Sequence, residues 1–259
     1  MTALRVGAMA ALLTAAVLLP VAAPAQEVAV AAPLGMSEGV QQVARDLIAT
    51  HPEARVRFVY GGSFDLRRRI EAGEVFDVFI AAAARPVEEL VSQGLVAADS
   101  VRPVARNSLV AVKAADSGLD VPGPSNLLDR RVRRIAIGDP TVVPAGLYAQ
   151  EMLTTLSLWQ RLKPKLQLAD SGRQAVERLL RGEADIALVL ITDALPYAER
   201  LREAFPPPAE THSRIVYLAG ALARAAHPAL AREFIELLAG PDGQLALARL
   251  GFHPVEARP

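Results

Sequence analysis

The stretch Gly138–Ala149 reads Gly-Asp-Pro-Thr-Val-Val-Pro-Ala-Gly-Leu-Tyr-Ala, and it decides the fold of this chain. An apolar run, Arg134–Ile137, precedes it, and an apolar-periodic segment, Leu147–Leu158, follows it. This pattern predicts a strand, a loop and a helix. Proline is tolerated in the first turn of a helix because the first N–H groups there have no intrahelical partner. These free N–H groups and the helix dipole attract anions; for this loop taken alone, a plain connection that binds nothing is the simpler interpretation.

The same order of strand, turn and helix recurs along the chain. Ser37 is expected to cap the first helix, in which Val40, Val43, Leu47 and Ile48 fall at helical spacing. Alternating strands and helices indicate parallel pairing in α/β sheets that are covered on both faces. The predicted strands are Val28–Ala32, Arg55–Tyr60, Asp77–Ile80, Ser108–Val112, Arg134–Ile137, Lys165–Leu168, Asp185–Leu190 and Ile215–Leu222.

Four of the turns open a helix directly after a strand. They follow Ala32, Tyr60, Ile137 and Leu168 and are rich in Gly, Ser and Pro. In an open α/β sheet the ligand crevice lies outside the carboxyl ends of the strands, where such turns sit. Four helix N-termini that converge from two lobes would hold one anion with neutral groups, so no lysine or arginine is required.

The N-terminal residues have the pattern of a secretory signal. Arg5 supplies a positive charge, Val6–Val21 is apolar except for Thr14, and Ala23–Ala25 offers a small-x-small cleavage site. The run is short for a membrane span, so residues 1–25 are interpreted as a signal peptide; a single membrane anchor is the alternative. The mature protein is then expected to be soluble outside the cytoplasm.

Composition excludes several classes of partner. The 259 residues carry 28 Lys and Arg against 28 Asp and Glu and contain no cysteine. Balanced charge gives no general reason to bind nucleic acid or an anionic membrane surface. Without cysteine the chain has neither disulfides nor thiolate metal sites. The length allows one large domain or two modest domains.

Catalytic and metal motifs find little support. His51, His227 and His253 each precede a proline, and His212 lies in a polar run. None of them pairs with another ligand at a spacing typical of metal sites, so no metal site is expected. No nucleophile elbow and no phosphate-binding Gly-x-x-x-x-Gly-Lys loop is present. An enzyme is therefore not expected; a secreted hydrolase or transferase that uses Ser63 is the alternative from another class.

Several motifs together resemble one family. The run Ile137–Ala149, followed by Leu158–Leu166 with its Leu-Trp and Pro-Lys-Leu, is similar to the signature of periplasmic molybdate-binding proteins of ABC importers. The similarity covers nearly the whole mature chain in order. Further matching stretches are Tyr60–Leu66, Ile70–Phe79, Arg181–Asp185 and Thr192–Ala194.

The resemblance implies the fold and the role. It implies a type II periplasmic-binding-protein fold, α/β, with two doubly wound lobes joined by crossover strands. Lobe I would comprise residues 26–105 and 214–259, and lobe II residues 106–213. The protein would be a periplasmic monomer without a cofactor or a metal ion of its own. It would capture a small oxyanion such as molybdate or tungstate and deliver it to the membrane permease of an ABC importer.

The resemblance also assigns a ligand site, with departures. Ser63 corresponds to a serine hydroxyl donor, Ala145 to a backbone donor, and Gly172 to a backbone donor where the family usually has a larger residue. Pro33 stands in a first turn that commonly reads Ala-Ala-Ser-Leu, and Leu190 stands where a ligand-facing tyrosine is frequent. The candidate ligand-binding residues are Ser63, Ala145, Gly172, Gly62, Pro33 and Leu190.

The two lost hydroxyl donors leave the ligand open. A hydrogen bond to a charged group contributes roughly 1.5–3 kcal/mol, so losing two weakens oxyanion binding by roughly two to four orders of magnitude unless they are replaced. Ser37, Thr192 and Arg173 are candidate replacements. The more apolar lining also suits a different small or organic anion, which is the second hypothesis.

Overall fold

The strands of the chain form two five-stranded sheets in a computed structural model that describes residues 26–255. The predicted signal peptide, residues 1–25, lies outside the described residues. The strands are β1 Gln26–Ala32, β2 Ala54–Tyr60, β3 Val78–Ala81, β4 Arg102–Arg106, β5 Leu109–Ala114, β6 Ile135–Gly138, β7 Leu166–Ala169, β8 Ile186–Leu190, β9 Leu201–Phe205 and β10 Val216–Ala221.

The two sheets share one plan. The first has the order β2-β1-β3-β10-β4 and the second the order β7-β6-β8-β5-β9. In each sheet three strands are parallel, the fourth runs antiparallel to its neighbours, and a further strand closes the edge. The expected parallel pairing is therefore confirmed for three strands of each sheet, and it is wrong for β5 and β10, because these strands enter their sheets from the opposite lobe and so run the other way.

Helices cover both faces of each sheet. The strands β3, β6 and β8 are buried throughout, as expected for strands between two helical layers. Apolar side chains of α1 and α8 pack on one face of the first sheet and those of α2 and α3 on the other; in the second sheet α4 and α6 take these places. The helices are α1 Ser37–Thr50, α2 Ser63–Glu71, α3 Ala84–Ser92, α4 Pro144–Thr155, α5 Trp159–Leu162, α6 Gly172–Leu180, α7 Ile191–Ala194, α8 Pro228–Ala239 and α9 Pro241–Arg249.

Some local predictions are wrong. Ser37 is the first residue of α1 and caps nothing, because a turn of 3₁₀ helix, Leu34–Met36, runs directly into α1. Ile48 is 38% exposed, so it lies at the margin of the buried face. The helix predicted to reach Leu158 ends at Thr155, because Ser157 adopts a positive φ of 57° and breaks it.

The chain crosses between the sheets twice, from β4 to β5 and from β9 to β10. These crossings divide the described residues into a first lobe around the first sheet and a second lobe around the second sheet. The predicted lobe boundaries at residues 105, 106, 213 and 214 stay a prediction. No helix within residues 26–255 has both the length and the apolar character that crossing a bilayer requires.

Candidate functional site

A cavity of about 340 Å³ lies between the lobes. Four turns line it, and each leads from the carboxyl end of a strand into a helix: β1 to α1, β2 to α2, β6 to α4 and β7 to α6. The structure brings all six predicted site residues to this cavity, and contact with a ligand stays a prediction for each of them. They are Pro33, Gly62, Ser63, Ala145, Gly172 and Leu190.

Ser63 presents a hydroxyl to the cavity from the start of α2. Gly62 is the N-cap residue, and the Ser63 side chain makes no capping bond. Its Oγ instead accepts a hydrogen bond from the Ala82 N–H at 3.0 Å, and the residue is fully buried. A hydroxyl has one donor besides its acceptor lone pairs. Because Ala82 uses an acceptor position, the Ser63 O–H keeps its proton available for a ligand.

Helix α4 places Ala145 at the cavity in its second position, behind Pro144. The Ala145 N–H has no intrahelical carbonyl to pair with, because it belongs to the first turn. Gly146 lets the helix start so close to β6: a Cβ there would lie 2.0 Å from the Gly138 carbonyl oxygen. The Pro-Ala-Gly run of the deciding stretch thus brings a helix N-terminus against the end of its strand.

Helix α6 contributes the third N-terminus. Ser171 caps it, since its Oγ accepts from the Gln174 N–H at 3.1 Å, and Gly172 is the first helical residue. Arg173 follows and lines the cavity, and its Nε is buried without a hydrogen-bond partner among the described residues. The N-termini of α2, α4 and α6 therefore meet at one cavity, where their dipoles favour an anion.

The two departures from the family pattern, Pro33 and Leu190, place apolar surface on the cavity wall. Pro33 directly follows β1, at the start of the turn, and supplies neither a hydroxyl nor an N–H. Leu190 is the last residue of β8 and is 4% exposed. Thr192, a candidate replacement donor, is buried, and its Oγ1 accepts from the Asn107 amide at 2.8 Å. Ser37 is absent from the residues that line the cavity.

Sequence reasoning missed Tyr217, which lines the cavity from β10. Its hydroxyl accepts a hydrogen bond from the Asn107 amide at 3.2 Å. Burial, with a further contribution from the Asp193 charge, raises the pKa of Tyr217 far above its usual range, so the phenol stays neutral. The residue was missed because parallel pairing was expected. An antiparallel β10 brings its amino end to the edge where the parallel strands end.

Asp193 also lines the cavity, in α7, and is 8% exposed; the sequence analysis placed it in the matching stretch Thr192–Ala194 but did not assign it to the site. Burial raises the pKa of Asp193 to about 6, while the Leu190 backbone and the Arg173 charge oppose this rise. One of its carboxylate oxygens lies 2.0 Å from the place that a Cβ on Gly172 would occupy. The available signal was an acidic residue three positions beyond the carboxyl end of a buried strand.

The lobes touch at one side of the cavity, where α2 meets the loop before α4. The Phe64 N–H donates to the Val142 carbonyl at 3.3 Å, and Arg68 donates to the Thr141 carbonyl at 3.0 Å. A Cβ on Gly62 would lie 2.3 Å from the same Val142 oxygen. Glycine at this position is what allows the two lobes to approach each other so closely.

Other regions offer less. Within residues 26–255 no group of three or more His, Asp or Glu side chains is arranged to hold a metal ion. A more open hollow of about 600 Å³ lies between α1 and α9, where charged side chains of both signs line it. Three carboxylates, those of Glu38, Asp46 and Asp242, line this hollow and disfavour an anion, so the cavity between the lobes is the candidate site.

Comparisons with known proteins agree with this geometry. A family model described as bacterial extracellular solute-binding protein matches residues 28–253. The chain is 29% identical to the molybdate-binding protein ModA of Haemophilus influenzae over 233 residues, which cover 89% of this chain and 91% of the relative. It is 30% identical to ModA of Escherichia coli over 199 residues, covering 74% and 76%.

Structural comparison gives the same result. The periplasmic molybdate-binding protein of Azotobacter vinelandii superposes with a TM-score of 0.77 at 25% identity, covering 88% of this chain and 100% of that chain. These relatives are binding proteins of the type II two-lobed α/β fold, as the sequence motifs indicated. The chain belongs to the family of bacterial extracellular solute-binding proteins.

Proposed function

We propose that this protein captures a small tetrahedral oxyanion, molybdate or tungstate, in the cavity between its lobes and delivers it to the membrane permease of an ABC importer. The observation that carries the proposal is the meeting of the N-termini of α2, α4 and α6 at one cavity. The names of the relatives support the same ligand class.

The proposed donors are the Ser63 hydroxyl and the backbone N–H groups of Ala145 and Gly172, with Gly62 shaping the turn between them. Hydrogen bonds from such groups to a charged oxygen are stronger than those between neutral groups. A fully deprotonated oxyanion offers only acceptors, so it matches a lining of N–H and O–H donors. Pro33 and Leu190 would bound the ligand without bonding to it.

A different small or organic anion is the second candidate. The apolar surface of Pro33, Leu34 and Leu190 on one cavity favours it, because ligand sites for organic molecules combine apolar walls with few polar groups. We favour the oxyanion because its donors come from the three helix N-termini. Catalysis by Ser63 is not part of the proposal: no histidine is among the described residues that line the cavity, and the Ser63 Oγ accepts a hydrogen bond from the Ala82 N–H.

The proposal includes a periplasmic location after cleavage of a signal peptide, residues 1–25, and a monomeric state. It requires no cofactor. N-terminal sequencing of the exported protein would test the cleavage site, and an uncleaved, membrane-bound product would contradict it. Light scattering on the purified protein would test for a monomer.

Thermal unfolding in the presence of single anions tests the ligand. A ligand at 100 times its Kd stabilises a protein by about 2.7 kcal/mol. Molybdate and tungstate are expected to raise the unfolding temperature, and chloride at the same ionic strength is the control. No shift with either oxyanion would reject this ligand class. Mass spectrometry of material carried through gentle purification would then identify the anion of the second candidate.

A further inference from the structure

The Asp193 carboxylate occupies an unusual position for a site that binds anions. It lies over the first residue of α6: its two oxygens are 2.0 and 3.0 Å from the place of a Gly172 Cβ. One oxygen is also 3.7 Å from the place of a Cβ on Gly35, in the turn that precedes α1. The carboxylate thus stands between two of the turns that line the cavity, and it is more than nine-tenths buried.

Gly172 makes this placement possible. A real Cβ does not approach another heavy atom to 2.0 Å, so any larger residue at position 172 would displace the carboxylate. The placement of the Asp193 carboxylate over the α6 N-terminus therefore depends on glycine at position 172.

A carboxylate and a fully deprotonated oxyanion oppose each other in this cavity, where Arg173 supplies one positive charge. Both offer only acceptors, and two negative charges repel strongly where water is largely excluded. One proton between them changes this, because it turns the repulsion into a charge-assisted hydrogen bond.

The other ionisable groups near Asp193 do not replace that proton. Arg173 on α6 and Tyr217 on β10 act electrostatically with Asp193. Arg173 is positive in any state, and the raised pKa of Tyr217 keeps the phenol neutral. The C-terminal segment packs on α7 through Gly251 and contains His253. The Nε2 atom of His253 lies 3.0 Å from the Oγ atom of Ser108. Gly35 and Thr192 bring no charge.

We infer that Asp193 is a specificity-determining residue, which lets the cavity hold an oxyanion only together with one proton shared between its carboxylate and a ligand oxygen. The inference rests on the proposed oxyanion function. An anion that still carries a hydroxyl at neutral pH, such as hydrogen phosphate, supplies the proton itself. Molybdate is fully deprotonated at neutral pH, so the proton must come from solution and reside on Asp193.

Calorimetry of the full mature protein with sodium molybdate at pH 6 and pH 8 tests the inference. The protonated fraction of a group with a pKa of about 6 falls about 50-fold between these values. The Kd for molybdate is therefore expected to rise about 50-fold. Titrations at pH 8 in buffers with different ionisation enthalpies should show uptake of close to one proton per molybdate. With inorganic phosphate, both the rise in Kd and the proton uptake should be smaller than with molybdate.

Variants locate the proton. Asp193→Asn removes the charge at nearly constant volume and should make the molybdate Kd independent of pH between 6 and 8. Gly172→Ala, which displaces the carboxylate without removing it, should reduce the pH dependence. Asp116→Asn, the same exchange in the exposed turn after β5, should behave as the wild type. If Asp193→Asn fails to fold, the proton uptake of the wild type still decides the question.

The outcomes separate the inference from the function beneath it. If the wild type binds molybdate with an unchanged Kd and no proton uptake, the inference is wrong and the proposed function stands. A molybdate Kd that still depends on pH in Asp193→Asn would also overturn the inference. If neither molybdate, tungstate nor phosphate binds at any pH, the proposed function fails and the inference fails with it.

Discussion

Replacing Gly62 with alanine should separate ligand affinity from folding. The backbone at Gly62, with φ −68° and ψ 139°, suits alanine, so the exchange adds no strain within the first lobe. The new Cβ would lie 2.3 Å from the Val142 carbonyl oxygen across the cavity mouth, where ordinary contacts begin at 3.4 Å. The lobes must therefore move about 1 Å apart at this point.

This separation has a calculable effect on binding. The bond from the Phe64 N–H to the same Val142 oxygen, now 3.3 Å long, would be broken. A lost neutral hydrogen bond costs about 0.5–1.5 kcal/mol, and overpacking of a close contact costs about 1–3 kcal/mol. The combined loss of about 1.5–4.5 kcal/mol corresponds to a Kd that is roughly 10- to 2,000-fold weaker.

Calorimetry with molybdate, thermal unfolding of the ligand-free protein and small-angle X-ray scattering form the assay. We expect Gly62→Ala to weaken binding and to lessen ligand-induced compaction, while the unfolding temperature without ligand changes little. Gly61→Ala is the matched control, because its Cβ would meet only the Leu66 side chain of the same lobe, at 3.3 Å. A Gly62→Ala protein that binds within threefold of the wild type would refute the role given to this contact.

Three other predictions concern single side chains. Ser63→Ala should weaken molybdate binding about 10- to 150-fold, because a donor to a charged oxygen is lost. The exchange should also lower the unfolding temperature, because it leaves the buried Ala82 N–H without its partner. Normal affinity in calorimetry would exclude Ser63 as a donor. Leu190→Tyr should strengthen molybdate binding relative to Leu190→Phe, which adds the ring without the hydroxyl, and equal Kd values would show that no donor is missing there. Ionised Asp193 destabilises the folded state because burial raises its pKa from 3.8 to about 6, so the wild type should lose about 2 kcal/mol relative to Asp193→Asn as the pH rises from 4 to 7; an unchanged difference between the two proteins in the free energy of unfolding at these pH values would contradict this.

The interior of the fold could be predicted from the sequence because its signals are apolar. Continuous runs such as Ile186–Leu190 are buried on both faces and stand out in any context. The edge strands Arg102–Arg106 and Leu201–Phe205 escaped prediction because edges carry charges and proline, which make them resemble loops. Their absence from the prediction also hid the antiparallel arrangement.

The site could be predicted only in part for a related reason. The donors at Ser63, Ala145 and Gly172 follow strands directly, so strand-turn-helix order locates them. Tyr217 reaches the cavity through the direction of its strand, and Asp193 through a gap that Gly172 leaves open. Neither the strand direction nor the gap is a property of local sequence, and both depend on how the lobes are assembled.

The first crossing between the lobes has a consequence for how a ligand enters. Asn107 lies between β4 and β5, and its amide binds Thr192 of the second lobe and Tyr217 of the first. A rotation of the lobes about this pivot would move atoms least near Asn107. For the cavity to open in this way, contacts that join the lobes away from the pivot must break, among them the bond from the Phe64 N–H to the Val142 carbonyl and the bond from the Tyr148 hydroxyl to the Ala82 carbonyl.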